Sequence, residues 1–128
     1  MDSGASKHMT PLKDGLENLH ASKGKVLIGD KTSILVHGIG NLQVIPNGKG
    51  GMFTSKVLYV PDLGYHLLSV KELCKLGLLI EFSEDHVWIR DLQSRTLVSE
   101  GYEEHGVYKL KESTALTHYL PSSTISSL

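Results

Sequence analysis

From Lys25 onward, apolar and polar residues alternate in short runs with turn residues between them, a pattern that predicts strands rather than helices. Val26-Leu27-Ile28 and Ile34-Leu35-Val36 are β-branched runs separated by Gly29-Asp30-Lys31-Thr32, which predicts a hairpin. Gly38-Ile39-Gly40 reads as an interruption, after which Leu42, Val44 and Ile45 restart the sheet. Pro46-Asn47-Gly48-Lys49-Gly50-Gly51 is the strongest turn signal, and the strand containing Phe53, Val57 and Tyr59 is ended by Pro61. Leu78 to Phe82 and Val87-Trp88-Ile89 predict a second hairpin across Ser83 to His86, and Thr96-Leu97-Val98 and Val107 to Leu110 predict further short strands.

Helical signals are few. Thr10-Pro11 has the form of an N-cap with proline at the first helical position, opening a short turn weakened by Gly15. Ser69-Val70-Lys71-Glu72 is a capping box, Val70, Leu73, Cys74 and Leu76 share one face, and Gly77 supplies the stop. On that face Cys74 reads as a small core residue. Many short strands with one helix predict an all-β fold, mainly antiparallel, closed as a barrel. Residues 1–110 form the predicted domain, and 111–128 a Ser/Thr-rich tail whose Ser122–Leu128 end is expected to be disordered.

At 128 residues and a formal net charge of −1 the chain is one near-neutral domain, without the basic stripe that nucleic-acid binding needs. Cys74 is the single cysteine, which excludes an internal disulfide and a cysteine-built metal cage. No apolar run is long enough to span a bilayer, and a soluble, cytoplasmic protein is expected. The seven histidines show no metal-ligand spacing, so surface or hydrogen-bonded roles are expected and neither metal nor cofactor is predicted. Gly38-Ile39-Gly40 begins like a dinucleotide fingerprint, but Gln43 stands where the third glycine belongs.

Candidate chemistry lies at the front, in Asp2-Ser3-Gly4. An aspartate followed by a small hydroxyl residue and glycine suits an acid-protease loop, in which the carboxylate activates water and the glycine permits close backbone approach. Such chemistry needs two carboxylates sharing a proton. One triplet is present, so two copies of the chain would have to meet.

Asp2-Ser3-Gly4-Ala5-Ser6 with His8-Met9-Thr10, Val36 to Gly40, Lys56 to Pro61, Leu67 to Val70 with Leu73, and Gly106 to Leu110 occur in an order that resembles the protease region of copia-type LTR retrotransposon Pol polyproteins. The resemblance implies a retropepsin-like barrel acting as a homodimer on polypeptide substrate from a polyprotein, in the cytoplasm or a virus-like particle. It implies Asp2 as the catalytic carboxylate, Ser3 and Gly4 as support for the catalytic loops, and Gly29, Asp30, Lys31 and Thr32 as the flap. The family carries a strand ahead of the triplet, so the resemblance also implies an N-terminally truncated polyprotein fragment. It further stops short of the His and Cys pairs that open the family's integrase segment. Two readings stay open, an aspartic endopeptidase and a catalytically inactive barrel serving as a structural or interaction module.

Overall fold

Period-two alternation builds most of the chain into strands, and one capped segment turns into a helix. The structure is a computed structural model and describes residues 7–28, 32–44, 53–105, 107–111 and 123–125. The elements are β1 (His8–Thr10), β2 (Glu17–Ile28), β3 (Thr32–Val44), β4 (Phe53–Tyr59), β5 (Leu67–Leu68), α1 (Val70–Lys75), β6 (Leu78–Phe82), β7 (His86–Asp91), β8 (Leu97–Glu104), β9 (Val107–Leu110) and β10 (Thr124–Ile125).

The strands form one ten-stranded sheet in the order β2-β3-β4-β1-β5-β10-β9-β8-β7-β6. Pairing is mainly antiparallel, but β1 runs parallel to β4 and β10 parallel to β5, so the sheet is mixed. The expected closed barrel is corrected here: among the described residues the ladder ends at β2 on one side and β6 on the other. Closure would need β2 to offer a regular edge. Its register instead shifts twice, between Glu17 and His20 and between Ala21 and Gly24, with Asn18 at a φ of 54°. Such bulges twist an edge away from further pairing. At the opposite end α1 packs against β6.

The open ladder still coils onto itself. Leu42, Val44 and Val57 from β3 and β4 share a core with Leu73, Leu78, Val87, Ile89, Tyr108, Leu110 and Ile125 from the other end of the sheet. A second cluster joins Val26 and Val36 of β2 and β3 to Met9 of β1, Leu67 of β5, and Val60 and Leu63.

Several elements differ from their expected form. Thr10-Pro11 starts no helix; Thr10 ends β1, and the chain turns at Asp14-Gly15, where Gly15 takes a φ of 85°. β2 begins at Glu17, well before Lys25; its two bulges break the alternation by which the sequence would mark a strand. Gly38 and Gly40 lie inside β3 and do not break it: a Cβ on Gly38 would stand 2.9 Å from the His20 carbonyl oxygen, and one on Gly40 3.0 Å from Leu16 Cβ. Both glycines let the bulged strand cross closely. The expected Pro46–Gly51 turn lies outside the described residues, between the paired ends Val44 and Phe53.

The expected disorder of Ser122–Leu128 fails for Ser123, Thr124 and Ile125, which are buried. β10 pairs with β5 on one side and β9 on the other, so it joins the two halves of the sheet. Cys74 is exposed, not in the core, because the short α1 buries Leu73 and Glu72 and half-buries Val70 and Leu76, leaving Cys74 outside that stripe.

Candidate functional site

Asp2, Ser3 and Gly4 lie outside the described residues, as do Gly29, Asp30 and Lys31 of the expected flap. Thr32 is described: it opens β3 opposite Ile28, so β2 and β3 pair antiparallel up to the two sides of residues 29–31. What the structure does place is the strand that follows the triplet. β1 is buried along its whole length, with β4 on one side and β5 on the other.

A polar node surrounds β1. Ser69 is the N-cap of α1, with extended backbone angles, and its hydroxyl accepts from the Glu72 amide at 3.2 Å. That satisfies one orphan donor of the first helical turn. In a capping box the Glu at this position reaches back to the N-cap amide. Here the Ser69 amide donates to His8 Nδ1 at 2.9 Å, so a strand side chain supplies the acceptor. Glu72, itself buried, pairs with Lys75 at 2.9 Å.

His8 is only 2% exposed. Burial pushes its pKa down to about 4, against a smaller opposing pull from the Glu72 carboxylate. The ring is therefore neutral at pH 7. With Nδ1 accepting, the proton sits on Nε2. Thr10 Oγ1 and His66 Nδ1 share a hydrogen bond of 2.8 Å, and burial lowers the His66 pKa as well. The His66 carbonyl accepts from the Thr124 amide at 2.8 Å, and the Thr10 carbonyl accepts from the Val60 amide at the same distance.

Chemically, this arrangement is a clamp. The Nδ1 atoms of His8 and His66 and the hydroxyls of Thr10 and Ser69 each hold a backbone group or a neighbouring side chain. Among the described residues no group of three or more His, Cys, Asp or Glu side chains is placed to hold a metal ion. The other described histidines are dispersed. His20 Nδ1 meets the Asn18 carbonyl at 3.0 Å, His37 packs edge-on to Tyr59, and His86 contacts Glu100 at 2.9 Å while stacking on Trp88.

The sequence reading missed the role of His8. Its signal is faint: a histidine amid Lys7 and Met9 does not announce that a cap amide sixty-one positions later will need an acceptor.

Within the described residues, no helix is long and apolar enough to cross a membrane. The family model described as "Pol polyprotein, beta-barrel domain" matches residues 1–78, which run from the triplet through β1–β5 and α1 to the start of β6. The chain is also similar to the retrovirus-related Pol polyprotein from transposon RE2 of Arabidopsis thaliana, at 28% identity over 112 residues. That alignment covers 85% of this chain and 8% of the relative, so the chain spans a small part of the protein it matches. No solved structure matches significantly. With a family match over more than half its length, the chain belongs to the beta-barrel domain family of retrotransposon Pol polyproteins, of copia type.

Proposed function

We propose that this chain works as a non-catalytic β-domain of a retrotransposon Pol polyprotein, a folding or interaction module within the cell. One observation carries the reading. The strand that follows Asp2-Ser3-Gly4 is packed on both sides, and its one titratable side chain, His8, spends its ring lone pair on the Ser69 amide. A group engaged in this way secures structure and is withdrawn from acid–base work.

The triplet itself favours a second reading, an aspartic endopeptidase. In that reading Asp2 from each of two copies would share a proton, Ser3 and Gly4 would hold the loops, and the Gly29–Thr32 hairpin would close over polypeptide substrate. The antiparallel pairing of β2 with β3 up to Ile28 and Thr32 supports it.

Peptide cleavage at mildly acidic pH, run beside solution mass at several concentrations, separates the two. The module reading expects no cleavage and no effect of Asp2→Asn on mass or fold. Pepstatin-sensitive cleavage by a dimer, abolished by Asp2→Asn, would replace it with the endopeptidase.

A further inference from the structure

The ten-stranded sheet is narrowest at its centre. β1, β5 and β10 contribute 3, 2 and 2 residues, whereas β3 runs for 13 and β8 for 8. Few ladder hydrogen bonds can form across so short a seam, and side chains reinforce it. His8 reaches across to the Ser69 amide, and Thr10 reaches to His66. The two imidazoles therefore lie where the two halves of the sheet are joined.

The two differ in how they would respond to a proton. His8 already carries a proton on Nε2, so a second can enter only at Nδ1, the atom that accepts from the Ser69 amide. Protonated, that nitrogen would point a donor at a donor. His66 faces the Thr10 hydroxyl, which can donate or accept and so can turn to suit either state of the ring. His8 is the sensitive member of the pair.

We propose that His8 makes this seam an acid-sensitive clasp: its protonation releases the Ser69 amide, and the sheet loosens along β1, β5 and β10 before either half unfolds. The inference is independent of whether the chain is catalytic, since it concerns only the anchor of the segment that follows Asp2-Ser3-Gly4.

The surroundings of His8 favour release over retention. On α1 the nearby charge is Glu72, which would attract an imidazolium but is already paired with Lys75. The β4 residues in register with β1 are Val57, Leu58 and Tyr59, which bring no carboxylate. From β5 comes Leu67. β10 adds Thr124 and Ile125, neither of them ionisable. The sign follows from linkage. The closed seam binds the proton with a pKa of about 4 and an opened seam with the ordinary 6.5, so falling pH favours opening throughout that window. Opening should rise by up to about tenfold per pH unit and level off below the lower value.

Amide hydrogen exchange of the whole chain, corrected for intrinsic rates and followed from neutral pH into that window, tests the clasp. The Val60, Ser69 and Thr124 amides should lose protection steeply as pH falls, while the Ile89 amide in β7 should change far less. In His8→Gln, whose amide oxygen can accept but does not titrate, the seam should become indifferent to acid; in His66→Gln the acid response should persist. Equal loss at seam and β7 amides, no acid response, or an unchanged response in His8→Gln would overturn the proposal. Should His8→Gln not fold, the wild-type His8 ring decides. A neutral Nε2–H tautomer persisting well below the ordinary range, with seam exchange rising as pH falls towards its titration and levelling off below it, supports the clasp, and a ring titrating in the ordinary range refutes it.

Discussion

Gly101 of β8 lies so close to the Lys109 carbonyl of β9 that a Cβ there would overlap its oxygen and stand 3.0 Å from Leu110 Cα. The obstacle is backbone on both counts, so no side-chain rotation can relieve it. Gly101→Ala should destabilise the fold by about 2 kcal/mol or more, read from a denaturant midpoint. Gly24→Ala is the control: nothing stands within 4 Å of the added methyl, so its effect should stay within about 1 kcal/mol and be neutral or stabilising.

Ser69→Ala removes the hydroxyl that accepts from the Glu72 amide. With Ser69 1% exposed, water is poorly placed to replace it. A loss of about 1–2 kcal/mol in thermal or chemical unfolding is expected. A loss below a few tenths would mean that the hydrogen bond contributes little to the fold.

Ile125 in β10 is completely buried and belongs to the core shared by both ends of the sheet. Ile125→Ala should cost about 2–5 kcal/mol, as large-to-small changes in packed cores do. Ending the chain at Lys111 should be worse, because β5 and β9 would then lose the strand that bridges them. Circular dichroism and unfolding midpoints of the two variants would check the order.

Hydrogen bonding from His86 holds the Glu100 carboxyl below the usual carboxylate range, with help from the Lys111 charge. In His86→Ala the Glu100 carboxyl should therefore titrate higher, measured by its carbon chemical shift. A depressed carboxyl pKa favours the fold above the carboxylate's ordinary value and loses that support as pH falls through the lowered one. The contact is half-buried at the surface, so raising salt should partly shrink the difference between variant and wild type.

Local signals were legible. The β2–β3 and β6–β7 hairpins, the end of β4 before Pro61, the Ser69 cap and the Gly77 stop at a φ of 80° all depend on residues close together in sequence. What escaped depends on distant partners. β10 is a two-residue strand in a Ser/Thr-rich stretch, and its place is set by Leu67, Leu68, Tyr108 and Lys109, remote along the chain. The first part of β2 escaped because two bulges break the period that marks a strand. Cys74 was misplaced because a helix of 6 residues buries a narrower stripe than its apolar spacing suggests. His8 escaped because its partner is a backbone amide, which no side-chain motif reveals.

The kinked outer margin of β2 has a bearing on solubility. A wide sheet that ends in a straight, unpaired strand invites another molecule to add its own strand and start a fibre. Asn18 in the left-handed region, the slipped register before Gly24, and the exposed Lys23 and Lys25 deny a newcomer that template. Many copies can then be crowded together and each sheet still ends with its own molecule.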